Sequence, residues 1–234
     1  MINIMQKLLR FVENLIVNYQ NYKILKFLNT EKFKNILDVG GHHGEFYKSL
    51  LNNNIDFNKY LIFEPSPESF NIIDKIEDQR LEKYNIGIGK AKSSMMLNIS
   101  QWETSNTFSE FKPNTLKNKL KKILYKSDSY ISKIEVEVNT LDEICSKYQE
   151  PFNLLKIDVE GFELQVLQGA IDLLNNNKIE IIIIEIQKEG SYIGYFPSEI
   201  KDFLENNGFK LEKRFRIFGL GIEDRIYKKH NNTI

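Results

Sequence analysis

The sequence of residues 154–186 is LLKIDVEGFELQVLQGAIDLLNNNKIEIIIIEI, and it carries a short apolar run at each end. The runs at 154–158 and 179–186 are rich in leucine and isoleucine, which is typical of strands buried on both faces. Between them, apolar side chains recur at steps of three and four residues, at Leu164, Leu167, Ile171 and Leu174. That spacing predicts a crossover helix over residues 163–174. A strand, a helix and a second strand in this order predict a parallel sheet covered by helices.

The same alternation of apolar runs and helical patterns continues through the rest of the chain. Residues 35–39 and 60–64 are further candidates for buried strands, and a third strand is predicted to end near Ile88. Residues 209–229 alternate enough to supply two closing strands, one of them antiparallel at the sheet edge. We therefore predict an α/β fold with a Rossmann-like, mostly parallel sheet.

An amphipathic helix is predicted before the first strand. Within residues 4–28, apolar side chains stand at helical spacing, at Leu8, Phe11, Val12, Leu15, Ile16 and Tyr19. We predict a helical extension over residues 1–30 and one main domain over residues 31–234. The apolar stripe needs a partner. Docking on the main domain, or on the second subunit of a homodimer, is favoured over a membrane surface because the helix is not markedly basic.

An insertion is predicted at about residues 93–138. Two alternating segments, 94–99 and 134–138, flank a polar and basic stretch from 102 to 133. This pattern predicts a hairpin that carries a mobile cap. A cap of this kind is expected to become ordered when a ligand binds.

Composition argues against several classes of protein. The chain has 32 Lys+Arg and 32 Asp+Glu residues, so no overall field attracts nucleic acid, and a small partner is expected. Cys145 is the only cysteine, which excludes an internal disulfide framework. No apolar run reaches the ~18 residues of a transmembrane helix. Polar residues also interrupt the first segment where a secretion signal would be apolar. We therefore expect a cytoplasmic protein without a transmembrane segment.

Glycine and acidic residues follow the predicted strands, which is where an open parallel sheet binds its ligands. The first strand leads into the loop Asp38-Val39-Gly40-Gly41-His42-His43-Gly44. Its three glycines let the backbone turn sharply and approach a ligand. Glu64, at the end of the second strand, can accept hydrogen bonds from both hydroxyls of a ribose. A nucleoside site is therefore predicted.

The loop does not match the dinucleotide fingerprint. A G-x-G-x-x-G pattern that begins at Gly40 would need glycine where His42 and Glu45 stand. A loop that cradles a pyrophosphate is therefore disfavoured, and S-adenosylmethionine, which has no phosphate, fits better. A nucleotide-dependent oxidoreductase on a similar sheet is an alternative that lacks its phosphate loop.

Three motifs, in this order, resemble those of the FkbM-type methyltransferases. They are Asp38-Val39-Gly40 through Gly44, the IFEP of residues 62–65, and the TLD of residues 140–142 followed by LKIDVEGFE at 155–163. The resemblance extends from about residue 35 to 185, with His42 where the family commonly has Asn. It implies a class I methyltransferase fold, S-adenosylmethionine as cofactor, and O-methyl transfer to sugars, polyketides and similar metabolites.

The resemblance also implies which residues bind the cofactor. Asp38, Gly40 and Gly44 would surround its methionine part, with Gly41 in the same loop, and Glu64 would bind its ribose. Asn85 and Ile86, near the end of the third strand, would lie by the adenine.

An acceptor hydroxyl is a weak acid, so its methylation needs a base, a divalent cation or both. Asp158 closes the fourth predicted strand and Glu185 lies near the end of the fifth. Asp158 is therefore a candidate catalytic base, and the two carboxylates are candidate ligands for Mg²⁺ or Mn²⁺. An equally favoured alternative is that Asp158 caps the helix that follows it.

His42 and His43 are further candidates for a catalytic base near neutral pH. Because they are adjacent, their side chains are predicted to diverge, so that only one faces the site. A loop histidine bonded to the backbone is the plainer alternative for each.

These observations predict an S-adenosylmethionine-dependent O-methyltransferase. Its expected acceptor is a hydroxyl of a sugar or nucleotide-sugar, in the synthesis of a surface or capsular polysaccharide. Three alternatives stay open: a polyketide acceptor, methyl transfer to a nitrogen, and a cofactor-binding protein without catalytic activity. Substrate pockets in this fold come from loops, and the fold does not specify them.

Overall fold

The computed structural model describes residues 4–29, 31–100, 106–110, 130–217 and 221–230. In chain order, the helices are α1 Ile4–Phe27, α2 Glu45–Asn52, α3 Pro67–Ile73, α4 Leu141–Cys145, α5 Glu163–Gln168, α6 Ile171–Asn175 and α7 Pro197–Asn206. The strands are β1 Asn35–Val39, β2 Lys59–Phe63, β3 Leu81–Tyr84, β4 Gly87–Ile88, β5 Ser93–Ser100, β6 Tyr130–Asn139, β7 Phe152–Ile157, β8 Ile179–Gln187, β9 Phe209–Ile217 and β10 Ile222–Lys229.

Seven strands form the central sheet, in the order β3-β2-β1-β7-β8-β10-β9. The first five run parallel. Every residue of β1 and β7 is buried, and successive isoleucines of β8 enter separate hydrophobic cores, with Ile182 in one and Ile183 in the other. Each fully buried isoleucine stabilises the fold by roughly 1.5–3 kcal/mol, which is why both faces are covered. The predicted parallel α/β fold is confirmed.

The strand direction reverses at the far edge of the sheet. β10 pairs antiparallel with β8 on one side and with β9 on the other. The predicted antiparallel pairing at this edge is confirmed. The reversed strand is β10, and β9 lies beyond it at the edge.

The crossover between β7 and β8 is broken, whereas the apolar spacing predicts one helix over residues 163–174. α5 ends at Gln168, and α6 begins at Ile171. A Cβ atom on Gly169 would lie 2.0 Å from the carbonyl oxygen of Gly89, so the missing side chain permits this close approach. The prediction of a continuous helix is wrong because it could not include this tertiary contact.

The predicted third strand ending near Ile88 is two strands. β3 ends the parallel part of the central sheet, whereas β4 belongs to a separate sheet ordered β4-β6-β5. In that sheet β5 and β6 pair antiparallel, which confirms the predicted hairpin. Residues 101–105 and 111–129, most of the predicted cap, lie outside the described residues.

The N-terminal helix docks through its last turns. Ile24 and Leu25 are buried in the core beside α2, and Gln20 Nε2 donates to Asp224 Oδ2 at 2.8 Å. The predicted stripe is not the docked face, because its described side chains are exposed: Phe11, Val12, Leu15, Ile16 and Tyr19. The prediction that this stripe docks on the main domain is therefore wrong, and its docking on a second subunit stays a prediction. None of the described helices combines the length and apolar character needed to cross a membrane.

Candidate active site

The carboxyl ends of β1, β2 and β7 meet at the loop of residues 38–44. The N–H of Gly40 donates to the carbonyl oxygen of Phe63 at 3.0 Å. Gly40 has φ 81°, and a Cβ atom on it would lie 1.9 Å from the carbonyl oxygen of Asp158. Only glycine fits at this crossing. The loop is thus held against both neighbouring strand ends.

Gly41 and Gly44 complete this loop. The N–H of Gly41 also donates to Phe63, at 3.1 Å, and the N–H of Gly44 donates to the carbonyl oxygen of Gly41 at 2.7 Å. Gly44 is the N-cap residue of α2, so the loop ends directly in a helix. The three predicted glycines therefore form one tight strand-to-helix turn.

Glu64 follows β2 and is buried. Its Oε2 accepts the N–H of His42 at 2.9 Å, and its Oε1 accepts the N–H of Ser66 at 2.8 Å. Burial raises the pKa of Glu64 to about 7 in spite of these donors. The carboxylate joins the loop to α3, and each oxygen keeps acceptor capacity for a further donor.

Asn85 and Ile86 lie at the same end of the sheet because β3 stops just before them. Asn85 is exposed, and its Nδ2 donates to the backbone carbonyl of Glu64 at 2.8 Å. Ile86 is half-buried against the core. The structure therefore brings Asn85 beside Glu64, while the adenine contact stays a prediction.

Lys156, to which the sequence analysis assigns no role in the site, lies between two of the predicted acids. Its Nζ is 3.1 Å from Asp158 Oδ2 and 3.7 Å from Asp38 Oδ1. Tyr60 donates its hydroxyl to Asp38 Oδ2 at 2.6 Å. The side chain of Asp38 is 1% exposed, whereas that of Asp158 is 37% exposed. Of these two acids, Asp158 is the one that a ligand can reach directly.

The charges of this group depend on one another. Burial opposes the charged form of Lys156, but the carboxylates of Asp158 and Asp38 outweigh it and raise the pKa of Lys156 above its ordinary value. Burial raises the pKa of Asp38, against the opposing effects of Lys156 and Tyr60. The ammonium therefore offsets negative charge at two strand ends. The signal in the sequence was one lysine within the apolar run LLKI at residues 154–157.

Asp158 does not cap the helix that follows it. α5 begins at Glu163, and its N-cap residue, Phe162, makes no side-chain cap hydrogen bond. The side chain of Asp158 bonds instead to Lys156. The capping alternative is wrong because four residues, 159–162, separate Asp158 from the first residue of the helix.

Glu185 is the neighbour of Asp158 in the continued parallel register of β7 with β8. Its Oε1 accepts a hydrogen bond from Gln187 Nε2 at 2.7 Å. The Lys156 ammonium, 3.1 Å from Asp158 Oδ2, opposes a divalent cation at that carboxylate. The donor set thus fits Mg²⁺ or Mn²⁺ poorly, and the metal site stays a prediction.

His42 and His43 stack on each other, with ring centroids 3.7 Å apart and planes inclined by 24°. The predicted divergence is wrong because His42 has φ 45°, so successive side chains do not alternate as they do along a strand. His42 Nδ1 lies 2.9 Å from Glu45 Oε1, and the N–H of His43 donates to Glu45 Oε2 at 3.0 Å. Burial would raise the pKa of Glu45, but its bond to His42 and the charges of both imidazoles lower that pKa to about 2.

The side chains of His42, His43 and Glu45 also place potential metal-ligating atoms within 4.8 Å of one another. A single ion would need the in-plane lone pair of each imidazole directed at it, at ~2.0–2.1 Å. The lone pairs of stacked rings instead point along nearly parallel planes. The arrangement therefore suits ion pairing with Glu45 better than a metal centre.

A short piece of the insert is bonded to the loop after β7. Thr107 Oγ1 donates to the carbonyl oxygen of Glu160 at 2.6 Å, and Ser109 Oγ donates to that of Gly161 at 2.8 Å. The Tyr192 hydroxyl donates to the carboxylate of Glu160. These contacts hold the described part of the insert against the site, and sequence spacing carried no signal for them.

The span of residues 38–211 matches the family described as "Methyltransferase FkbM domain". This span is more than half of the 234 residues. It includes the loop after β1, Glu64 and Asp158. All three strand ends of the candidate site therefore lie within the matched region.

Individual relatives agree with that match. A protein named "Methyltransferase 1" from Beauveria bassiana (strain ARSEF 2860) is 24% identical over 188 residues, which are 74% of this chain and 71% of that protein. A crystal structure of methyltransferase FkbM from Methylobacillus flagellatus KT has a TM-score of 0.55 at 14% identity, over 84% of this chain and 44% of that chain. Magnesium protoporphyrin IX methyltransferase (ChlM) from Synechocystis PCC 6803 with bound SAH has a TM-score of 0.51 at 9% identity, over 98% and 89%. At these identities the two structures show a shared fold.

Proposed function

The chain belongs to the FkbM methyltransferase family, and from that membership we propose that it methylates a hydroxyl of a sugar or nucleotide-sugar. It is an S-adenosylmethionine-dependent methyltransferase. The observation that carries transfer to a hydroxyl is the meeting of the β1 loop with Glu64 and the accessible Asp158 at one edge of the sheet. Glu64, the proposed ligand of the methyl donor, and the accessible Asp158 thus lie on either side of one loop.

The residues at this edge fit the adenosine part of the cofactor. Each oxygen of Glu64 accepts one N–H and can accept one more donor, which suits the two hydroxyls of a ribose. Asn85 and Ile86 lie beside it and would meet the adenine. Asp38 lies by the loop glycines, where the methionine part of the cofactor would bind, and its buried Oδ1, 3.7 Å from Lys156 Nζ, has no hydrogen-bond partner among the described residues.

The cofactor supplies an activated methyl group, so the chain must align the acceptor and remove its proton. We assign that proton to the Asp158 carboxylate, which is accessible and is held by Lys156 at 3.1 Å. With S-adenosylmethionine bound, Asp158 would take up the hydrogen of the acceptor hydroxyl while the methyl group passes from sulfur to that oxygen and S-adenosylhomocysteine leaves. His42 or His43 would be the base in the alternative arrangement.

The acceptor class rests on the family resemblance and on charge. The chain has equal numbers of basic and acidic residues, so no overall field favours a polyanionic substrate. A cytoplasmic reaction that modifies a precursor of a surface or capsular polysaccharide accords with a small acceptor. A polyketide hydroxyl and an acceptor nitrogen are the remaining candidates. Membership of a methyltransferase family argues against the alternative of a nucleotide-dependent oxidoreductase.

Transfer of an isotope-labelled methyl group tests this function. The purified chain is incubated with labelled S-adenosylmethionine and separate pools of nucleotide-sugars, free sugars, polyketide alcohols and amines. We expect label in the sugar or nucleotide-sugar pool, with the methyl group on oxygen by NMR. Label confined to amines or polyketides would overturn the acceptor, and no transfer to any pool would count against the proposed acceptors as a group.

Replacement of Glu64 should weaken cofactor binding. Glu64→Ala removes the acceptor for the ribose hydroxyls, which should cost about 1.5–3 kcal/mol of binding free energy, the range for hydrogen bonds to charged groups. Burial raises the pKa of Glu64 to about 7, and the ionised form is the better acceptor. The affinity of the wild type for S-adenosylhomocysteine should therefore rise as the pH increases through 7. Calorimetry at several pH values measures both effects.

The matched control is Glu68→Ala, which removes an exposed carboxylate on α3 four residues further along the chain. It should leave affinity and its pH dependence unchanged. Glu64→Gln should lose the pH dependence, because no proton is released there. Equal affinity in wild type and Glu64→Ala would remove Glu64 from the cofactor site.

A further inference from the structure

The side of α1 that faces away from the domain is apolar. Of the exposed large hydrophobic side chains among the described residues, most lie on this one helix. Six of them share the outward side: Phe11, Val12, Leu15, Ile16, Tyr19 and Tyr22. Large contiguous apolar patches are uncommon on the surface of a soluble monomer and mark a binding surface. Among the described residues, Phe215 contacts the end of this side, where its ring lies 6.0 Å from that of Phe27, whereas the side chains from Phe11 to Tyr22 stay exposed.

The helix is held so that this side stays outward. At about 100° per residue, Phe11, Leu15 and Tyr22 lie on one side of α1, whereas the buried Ile24 lies on the other. The docked side is also fixed by polar contacts. Gln20 Nε2 donates to the backbone carbonyl of Phe215 at 2.7 Å and to Asp224 Oδ2 at 2.8 Å, and Asn21 Nδ2 donates to Ser49 Oγ at 3.3 Å. The domain therefore holds one side of α1 and leaves the other exposed.

Lysines lie among the exposed apolar side chains. Lys23 Nζ is 4.9 Å from the centroid of the Tyr19 ring, and Lys26 Nζ is 5.9 Å from that of Tyr22. Both lysines fall on the same side of the helix as the stripe. The sequence of α1 contains four basic residues and one acid, although the whole chain is balanced at 32 of each sign. Lys23 and Lys26 therefore place positive charge on this surface.

From this combination we infer that α1 binds the surface of a membrane that contains anionic phospholipids. Leucine, isoleucine and phenylalanine side chains would enter the boundary between head groups and acyl chains. Tyrosine rings suit the level of the head groups, and the lysine stems can extend so that their ammonium groups reach phosphate. Each lysine near an anionic leaflet adds attraction that salt screens.

A second copy of the chain fits this surface less well. Pairing two α1 stripes would place Lys23 and Lys26 of both copies in one contact and withdraw their ammonium groups from water, with no acidic side chain on the stripe to pair with them. The hydroxyls of Tyr19 and Tyr22 would also need partners there. At a lipid surface, phosphates can pair with the ammonium groups, and phosphates and water can hydrogen-bond to the tyrosine hydroxyls. Charge therefore favours lipid over self-association, contrary to the order of preference from the sequence.

Vesicle sedimentation with the full chain tests this inference. The protein should bind vesicles of phosphatidylcholine mixed with phosphatidylglycerol, should bind pure phosphatidylcholine at least about tenfold more weakly, and should be released by salt. Phe11→Ser/Leu15→Ser/Tyr19→Ser should abolish binding, whereas the control Leu51→Ser/Ile72→Ser/Met96→Ser, which replaces exposed apolar residues elsewhere, should not. Because these side chains are exposed in both sets, the melting temperatures should stay close to wild type.

Charge reversal gives the second arm. Lys23→Glu/Lys26→Glu should weaken binding to the anionic vesicles by about tenfold or more, and the control Lys92→Glu/Lys201→Glu should leave it unchanged. Equal binding to neutral and anionic vesicles, or equal binding by the stripe variant and its control, would overturn the inference. A stable dimer by light scattering that only the stripe variant dissociates, with no vesicle binding, would assign this surface to a second copy instead.

Discussion

Asp158→Asn should lower the turnover number by about 10²–10⁴-fold, which is the usual contribution of a positioned general base. Asparagine keeps the size of the side chain and removes its charge and basicity. Because the structure rules out helix capping by Asp158, a large loss cannot be attributed to a weakened helix start. Single-turnover transfer of a labelled methyl group to the acceptor identified above measures the effect.

Two measurements separate loss of chemistry from loss of structure. The affinity for S-adenosylhomocysteine and the melting temperature of Asp158→Asn should stay near those of the wild type. Asp56→Asn, at a side chain that is 93% exposed, is the matched control and should retain full turnover. Near-normal turnover in Asp158→Asn would return this residue to a structural role as the partner of Lys156.

Addition of a chelator and the variant Glu185→Gln distinguish the role of Asp158 as a base from its alternative role as a metal ligand. With Lys156 3.1 Å from Asp158, we expect turnover to be indifferent to chelator and little changed in Glu185→Gln. Loss of activity with chelator, restored by Mg²⁺ or Mn²⁺, together with a large loss in Glu185→Gln, would favour the two-carboxylate metal site.

Lys156→Met should reduce the free energy of unfolding by about 3–5 kcal/mol, because removing one member of a buried ion pair leaves charge uncompensated. Methionine preserves most of the apolar stem, so the loss reports on the ammonium. The carboxylates of Asp38 and Asp158 would then face each other's charge without a cation between them. Urea denaturation measures the change. The control Lys201→Met, at an exposed pair with Glu205, should cost no more than about 1 kcal/mol.

The defect should depend on pH in a direction that the structure determines. Burial raises the pKa of Asp38, so the folded state takes up this proton before the unfolded state does as the pH falls. Stability from this group is therefore greatest at low pH and is lost as the pH rises through the raised pKa. Loss of Lys156 should raise that pKa further, so Lys156→Met should be closest to wild type in acid and weakest at neutral pH. Asp38→Asn in the Lys156→Met background should restore part of the stability at neutral pH, and a defect equal at all pH values would contradict this account.

Local patterns in the chain predicted most of the fold correctly. The apolar runs that became β1, β2, β7 and β8 could be recognised because a parallel strand buried on both faces keeps no polar side. The glycine loop and Glu64 could be recognised because strand ends are where such a sheet binds ligands. The continuous helix over residues 163–174 was predicted incorrectly because periodicity does not report that Gly169 meets Gly89.

The sequence by itself determined the class of fold, the glycine loop after the first strand and the family, because each depends on residues close together along the chain. Only the tertiary structure decided the electrostatics of the site. Asp38 and Lys156 are 118 positions apart, and the parallel pairing of Asp38 with Lys156 across β1 and β7 brings them together. The register of two strands is set by the packing of the whole sheet, so no local pattern could place that ammonium between Asp38 and Asp158. The outward stripe of α1 was decided in the same way, because helical spacing identifies an apolar side but not the side that the domain covers.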